Sequence, residues 1–252
     1  MNLNMEFTQS KAEIEYINVF LKKFKHKIRW REELTGKFYV FKNRVEAGQT
    51  LAQMIQESEE SSAALVLAIP NGGIPVAVTI ASTLHLECGV LICRKLQLPW
   101  NPEAGFGAVA PDGSLVINER MVRELSLNAE AIRRQKLKAL KEIKLKEKLF
   151  GAVEKFSLKG RTVLLVDDGL ASGYTMFAAL KFAEKAGSER RIIAVPTASP
   201  KALSLVSGEA WKIYCANVRS DLLGFAVADA YLNWYDVDDE EALTWLRKLT
   251  DD

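Results

Sequence analysis

The chain has 252 residues, 48% of them hydrophobic and 26% charged, with a formal net charge of +2. This is the composition of a globular protein with a substantial core, and the small net charge gives no indication of a polyanionic partner. No apolar run approaches the roughly 18 residues of a membrane span, and the N-terminus lacks the basic and apolar segments of a secretory signal. Three cysteines without paired spacing indicate free thiols in a reducing compartment, so we expect a cytoplasmic protein with no membrane partner.

The first part of the chain predicts two amphipathic helices. Apolar residues recur at helical spacing over residues 11–28, and a second apolar stripe lies in "NRVEAGQTLAQMIQ". We interpret residues 1–37 as a helical N-terminal extension, a candidate part of a small hood over a ligand site. Residues 38–252 then form the main domain.

Strand-like and helical segments alternate through the main domain. Buried strands are predicted at "ALVLAIP", "CGVLICRKL", "RTVLLVDD", "RIIAVPTAS" and "KIYCAN". Residues 126–150 predict a long helix, and residues 133–148 within it contain eight Lys or Arg against two Glu. The alternation predicts an α/β fold in which helices flank a central, mostly parallel sheet, with ligands at the carboxyl ends of the strands.

The segment "QLPWNPEAGFGAVAPDG", which starts at Gln97, is rich in Pro and Gly and lacks periodicity. It predicts a long loop, mobile without ligand, that runs into a short hairpin. The hairpin has "PDG" as its turn and "SLVIN" as its return strand.

The segment "VLLVDDGLASGYTM", residues 163–176, places two aspartates at the end of a buried strand and a loop of small residues after them. Asp167 and Asp168 can accept hydrogen bonds from a vicinal diol or bind hydrated Mg²⁺, and we expect both to face ligand and solvent. Small residues let backbone N–H groups approach an anion at a helix N-terminus. A phosphorylated ribose has the matching shape.

Other ligand-binding motifs do not fit this segment. A Walker A loop needs Lys after its last glycine, whereas Gly173 is followed by Tyr174, and the G-x-G-x-x-G pattern of dinucleotide-binding folds is absent. Receiver domains also carry paired acids after a strand, but near their N-terminus, and here two thirds of the chain precedes them.

The segment resembles the phosphoribosyl pyrophosphate (PRPP) motif of type I phosphoribosyltransferases. The resemblance implies that Asp167 and Asp168 bind the ribose hydroxyls and that the following loop binds the 5′-phosphate. The implied loop residues are Gly169, Ala171, Ser172, Gly173, Tyr174 and Thr175.

A second turn, Asn71-Gly72-Gly73, follows another predicted strand and exposes backbone amides suited to a second anion. It resembles the pyrophosphate loop of the same enzymes. Over residues 38–250 the chain resembles a poorly characterised family of predicted phosphoribosyltransferases, in which this loop has Arg where this chain has Asn71. The departure removes a cation from the loop and leaves its backbone amides.

Arg94 and Lys95 are predicted at the end of a strand, where two cations can neutralise a pyrophosphate leaving group. Type I enzymes often carry Arg-Lys here, followed by a mobile loop that closes over the site. The adenine enzymes resemble this chain in having Ala at the position of Ala171, and they use a Glu in the mobile loop. This implies Glu103 as a catalytic residue beside Arg94 and Lys95, although a solvated strand end and an exposed loop charge are the simpler alternatives.

The resemblance implies transfer of a 5-phosphoribosyl group from PRPP to a small nitrogenous acceptor, with release of pyrophosphate. It implies Mg²⁺ as the cofactor at Asp167 and Asp168 and, by similarity to the hypoxanthine-guanine enzymes, at Asp229. Leu222, Phe225 and Tyr231 are candidates to stack on the acceptor, or belong to the core.

A PRPP-binding regulator on the same fold is the alternative, in which residues 133–148 contact nucleic acid. A solvated helix face explains the same residues more simply, so nucleic acid is not the expected partner. A homodimer stays open.

Overall fold

The computed structural model of the chain describes residues 8–58 and 64–249. The helices in chain order are α1 (Lys11–Phe24), α2 (Arg44–Gln56), α3 (Gly73–Leu84), α4 (Glu119–Glu124), α5 (Ala129–Phe150), α6 (Tyr174–Lys185), α7 (Pro200–Ser207) and α8 (Asp239–Arg247). The strands are β1 (Ile28–Arg29), β2 (Leu65–Ala68), β3 (Cys88–Val90), β4 (Arg94–Leu98), β5 (Asn101–Val109), β6 (Leu115–Ile117), β7 (Thr162–Val166), β8 (Arg190–Ala198) and β9 (Lys212–Val218).

Six of these strands form a central sheet in the order β1–β9–β8–β7–β2–β3, and every neighbouring pair is parallel. Side chains of α2, α3 and α8 pack on one face of this sheet, and those of α1, α6 and α7 pack on the other. The predicted α/β fold with a central parallel sheet flanked by helices is confirmed. Among the residues described, no helix combines the length and apolarity needed to span a bilayer.

The carboxyl ends of β2 and β7 lie side by side in the middle of the sheet, because Ala68 is paired with Val166. The segments that follow these two strands therefore leave the sheet at the same edge. This register brings the 71–73 turn and the Asp167–Asp168 pair to one place.

Two predicted helices begin or end at other residues than expected. The first helix ends at Phe24, and Ile28 instead pairs with Ile213 as an edge strand of the central sheet. The long helix begins at Ala129, where the side chain of Asn128 caps it by accepting from a backbone N–H. Before it, Ser126 has a left-handed φ of 50°, which ends the separate helix α4.

The predicted strand "CGVLICRKL" is two strands in two sheets. Its first part, β3, ends at Val90 on the edge of the central sheet. Its second part, β4, belongs to a three-stranded antiparallel sheet, β4–β5–β6. Arg94 and Lys95 therefore begin a strand, and the prediction that they end one is wrong.

The predicted hairpin around "PDG" is present as β5 and β6, but the loop predicted before it is strand β5. β5 pairs with β4 from Arg94 opposite Val109 to Leu98 opposite Asn101. The glycines of β5 interrupt the alternation of apolar and polar residues by which a strand is recognised. A Cβ on Gly107 would lie 2.2 Å from the Val116 carbonyl oxygen of β6. The strand needs glycine there because its neighbour approaches too closely for a side chain.

Candidate active site

The paired acids stand directly after β7, at the carboxyl edge of the sheet. Both are half-buried, and the backbone N–H of Asp168 donates to Oδ1 of Asp167 at 2.8 Å. The expectation that both face solvent is wrong for Asp168, whose side chain is 15% exposed because an arginine covers it.

That arginine is Arg44, in the first turn of α2. Its Nε and Nη2 both donate to Oδ2 of Asp168, at 3.0 and 2.8 Å, and its Nη1 donates to the carbonyl oxygen of Tyr235 at 2.9 Å. The ring of Trp234 lies 4.2 Å from the guanidinium carbon, a cation–π contact. Arg44 is thus a buried cation fixed on three sides, and it orients one of the two acids.

Burial raises the pKa values of both acids, and the neighbouring charges then act on the two values in opposite directions. Burial, followed by the negative charge of Asp168, raises the pKa of Asp167 well above its ordinary value. Burial also raises the pKa of Asp168, while the Arg44 guanidinium opposes that rise. The pair therefore favours a ligand that brings hydrogen-bond donors or a cation to Asp167.

The 71–73 turn packs against the acids with no space between them. A Cβ on Gly72 would lie 1.8 Å from Oδ2 of Asp168, and a Cβ on Gly73 would lie 2.9 Å from Cα of Asp167. Both positions require glycine for this close approach. The turn and the acids consequently form one surface.

The backbone of this turn is partly occupied. The N–H of Gly73 donates to the Ile69 carbonyl oxygen at 3.2 Å, and the N–H of Ile74 donates to the Asn71 carbonyl oxygen at 3.0 Å. The predicted row of three amides is therefore reduced to those of Asn71 and Gly72, at the N-terminus of α3.

The loop after the acids is anchored at Leu170 and exposed beyond it. The N–H of Leu170 donates to the Thr197 carbonyl oxygen at 2.9 Å, and the side chain is buried. Ala171 and Ser172 are exposed, and Gly173, with φ of 80°, turns the chain into α6. Leu170 thus fixes the loop while the start of α6, with Tyr174 and Thr175 half-buried, offers its backbone N–H groups to an anion.

The side chain of Asn71 is committed to a polar cluster with α5 and α8. Its Nδ2 donates to Oδ1 of Asp239 at 2.7 Å and to the Val237 carbonyl oxygen at 3.0 Å. Lys146 of α5 donates to Oδ1 of Asn71 at 3.2 Å and forms an ion pair with Asp239. The hydrogen bond from Lys146, followed by that from Asn71, lowers the pKa of Asp239.

The two predicted cations at β4 have different surroundings. Arg94 donates to Oε2 of Glu142 on α5 from Nε at 3.0 Å and from Nη2 at 2.7 Å. Lys95 is exposed, and its Cγ would lie 2.4 Å from a Cβ added to Gly105. Glu103 is in β5, but its side chain lies outside the part of the chain that the structure describes. The catalytic roles of these three residues stay predictions.

Asp229 lies in a short 3-10 turn (Val227–Ala230) that packs beside the loop after the acids, where Val227 contacts Gly169. Its Oδ2 is 3.5 Å from Nη1 of the buried Arg219. This ion pair gives Asp229 a structural role that competes with its predicted role as a metal ligand.

A family model and two relatives name the same family. The phosphoribosyl transferase domain family matches residues 110–228. Two Mycobacterium tuberculosis sequences provisionally named phosphoribosyl transferases, MT0597 and Rv0571c, are each 34% identical over 208 residues, 82% of this chain and 46% of the relative. The crystal structure of TT1426 from Thermus thermophilus matches with a TM-score of 0.66 and 32% identity, over 82% of this chain and 98% of that chain.

The chain belongs to the phosphoribosyltransferase family. It spans about half the length of the two M. tuberculosis phosphoribosyltransferase relatives.

The acids, the loop after them and the glycine turn that the sequence singles out lie together at one edge of the sheet. The sequence missed two side chains that hold them. Arg44 is 124 residues from Asp168, and Lys146 is 75 residues from Asn71. Tyr231 is 1% exposed and donates from its hydroxyl to the Asp168 carbonyl oxygen at 2.7 Å, so it belongs to the core and cannot stack on an acceptor.

Proposed function

We propose that the protein transfers the 5-phosphoribosyl group of PRPP to a nitrogen nucleophile and releases pyrophosphate. The observation that carries this proposal is the contact between the Gly72 turn and Asp168, which joins two anion-binding turns across a pair of carboxylates. A ligand with a phosphate at each end and a diol between them matches that order of groups.

Each part of PRPP has a counterpart among the residues at the sheet edge. Asp167 and Asp168 accept hydrogen bonds from the two ribose hydroxyls. The backbone N–H groups of residues 171–175, at the start of α6, bind the 5′-phosphate, with Ser172 and Thr175 adding hydroxyl donors. The amides of Asn71 and Gly72 bind the pyrophosphate group, with Lys95 of β4 as a further cation.

The reaction breaks the bond between ribose C1 and the pyrophosphate oxygen and forms a bond between C1 and the acceptor nitrogen. The bonding electrons leave with pyrophosphate, and the acceptor proton passes to a base. Positive charge develops on the ribose ring, and the negative charges of Asp167 and Asp168 stabilise it electrostatically. Glu103 is our candidate for the base, because it lies within the predicted closing segment, residues 97–112.

Mg²⁺ fits the donor set at the acids. Carboxylate oxygens are the ligands that Mg²⁺ prefers, and it binds through one or two carboxylates together with substrate phosphates. In the described part of the chain, no three Asp, Glu, His or Cys side chains converge to hold a metal ion. Asp167 and Asp168 would therefore hold the ion jointly with PRPP and water, and its charge would offset that of pyrophosphate.

A PRPP-binding regulator that contacts nucleic acid is a second candidate. One observation favours it: six cations of α5 are exposed, namely Arg133, Arg134, Lys138, Lys141, Lys144 and Lys148. A basic helix face of this kind can contact phosphates.

A screen of purine, pyrimidine and other nitrogen acceptors with PRPP and Mg²⁺, following pyrophosphate release, tests the proposed activity. We expect release that depends on one class of acceptor and disappears in the Asp167→Asn, Asp168→Asn double variant. Binding of PRPP with no release for any acceptor would favour the regulator. No binding of PRPP at all would contradict both candidates.

A further inference from the structure

The pyrophosphate end of the site has no cation in its own turn, because residue 71 is asparagine. Yet a cation reaches the turn from elsewhere in the chain. The ammonium nitrogen of Lys146, on α5, lies 3.2 Å from Oδ1 of Asn71. Lys146 therefore places a positive charge beside residue 71, where the resembled family has an arginine in the turn itself.

Lys146 differs from its neighbours on α5. Lys144 and Lys148 are exposed, whereas the side chain of Lys146 is 22% exposed and points to the turn. Residues two positions apart on a helix face different directions, so the basic character of the helix does not account for this orientation. The ring of Phe150, one turn further along, lies 5.3 Å from the ammonium and supports it.

We propose that Lys146 binds the pyrophosphate group of PRPP and replaces the cation that the 71–73 turn lacks; this inference rests on the proposed function. Asn71 then has the role of holding the lysine, since its side-chain oxygen accepts from Lys146 while its amide donates to Asp239 and to Val237.

Asp239 is the group that pyrophosphate displaces. It forms an ion pair with Lys146, and at 47% exposed it is more accessible than the lysine. Pyrophosphate carries several negative charges against one on the carboxylate, so it attracts Lys146 more strongly once the ligand has excluded water. Asp239 keeps its hydrogen bond from Asn71 and stays anchored at the start of α8.

The test is calorimetric titration of wild type and variants with pyrophosphate and with PRPP, each with Mg²⁺, beside the melting temperature of each variant. Lys146→Met keeps the side-chain length and removes the charge, so we expect about tenfold weaker binding of both ligands. Lys148→Met, on the exposed face of the same helix, is the matched control and should leave both affinities unchanged.

Asp239→Asn separates a binding role from a structural one. It keeps an oxygen to accept from Asn71 and releases Lys146 from its ion pair, so pyrophosphate should bind about threefold more tightly or better. If Lys146 only ties α5 to α8, the same change should lower the melting temperature and leave the affinity unchanged. The double variant Lys146→Met, Asn71→Arg should regain affinity, because it returns a cation to the turn.

The failures of the two proposals are distinguishable. If wild type binds PRPP and Lys146→Met binds pyrophosphate equally well, the role of Lys146 is wrong and the proposed function stands. If wild type binds neither PRPP nor pyrophosphate, the proposed function is wrong and the role of Lys146 falls with it.

Discussion

Arg44 donates two hydrogen bonds to a single oxygen of Asp168, from Nε at 3.0 Å and from Nη2 at 2.8 Å to Oδ2. Both side chains are largely buried, at 6% exposed for Arg44 and 15% for Asp168. The arginine thereby fixes the orientation of one of the two acids proposed to bind ribose. It also means that the site and the packing of α2 on the sheet depend on the same ion pair.

The first prediction concerns this ion pair. Arg44→Ala leaves Asp168 buried without its cation, and we expect a loss of about 3 kcal/mol in the free energy of unfolding. Arg31→Ala is the control, because Arg31 pairs with the half-exposed Glu57 and its loss should cost about 1 kcal/mol or less. Urea unfolding followed by circular dichroism measures both, and equal losses would contradict the assignment.

The second prediction concerns the pH dependence of stability. Because burial and Asp168 raise the pKa of Asp167 above the ordinary value of 3.8, the folded protein retains a proton that the unfolded chain has released. The free energy of unfolding therefore falls as the pH rises from that value through the raised pKa. The Asp167→Asn variant has no carboxyl group to titrate at this position and so lacks this fall in the free energy of unfolding. The melting temperature of the variant should therefore fall less than that of wild type between about pH 4 and about pH 7.

The same variant should bind PRPP about tenfold more weakly, since it loses a charged acceptor for the ribose hydroxyls. The melting experiment is done without divalent cations or PRPP, so that Asp167 titrates with its protein neighbours alone. Parallel melting curves for the two proteins over this pH range would show that Asp167 carries no raised pKa.

The sequence predicted the parts of the site that are continuous in the chain. Asp167, Asp168 and the loop to Thr175 form one strand–loop–helix unit, and hydrophobic runs mark the strands on which it depends. Arg44 and Lys146 could not be assigned to the site in this way. Arg44 is 124 residues from Asp168 and Lys146 is 75 residues from Asn71, and no local sequence pattern predicts contacts over such separations.

The sequence did not predict strand β5, and the reason is different. Gly105 and Gly107 stand where its neighbours pack closely, and they interrupt the alternation by which strands are recognised. The small residues that made the segment resemble a loop are those that let it pair on both sides.

The third prediction concerns the hairpin of β4 and β5. The sequence predicts mobility over residues 97–112, but Phe106, Ala108 and Val109 are at most 1% exposed and pack in the core. Pairing is irregular only towards the tip, with register shifts at Leu96/Gln97 and Gln97/Leu98. We therefore expect fast amide exchange at residues 99–105 without ligand, slowed by PRPP with Mg²⁺, and slow exchange at 106–110 in both states. Ligand-independent exchange at the tip would contradict closure.

The fourth prediction separates Lys95 from Glu103. Lys95 is proposed to act on the leaving group, so Lys95→Ala should slow pyrophosphate release alike with every acceptor. Glu103 is proposed to take the acceptor proton, so the loss in Glu103→Gln should depend on the acceptor pKa and on pH. Steady-state rates with two acceptors of different pKa measure both effects. A uniform loss in Glu103→Gln, independent of acceptor and pH, would remove it as the base.

The last prediction decides between the enzyme and the regulator. Lys138, Lys141 and Lys144 are exposed on α5, away from the ammonium of Lys146 that reaches the turn. Exposed charges of this kind contribute little to folding, so reversal of all three to Glu should leave the fold intact.

If the protein is an enzyme, the triple variant should keep the wild-type rate of pyrophosphate release within about twofold, since no step of the reaction uses this face. If the protein is a regulator, wild type should bind nucleic acid with an affinity that falls steeply with salt, and the triple variant should lose that binding. Both properties are measured on the same preparations, with circular dichroism as the check on folding. We expect the enzyme outcome, because the Arg94-Lys95 pair and the β4–β5 hairpin beside the site have a use in chemistry and none in sensing alone.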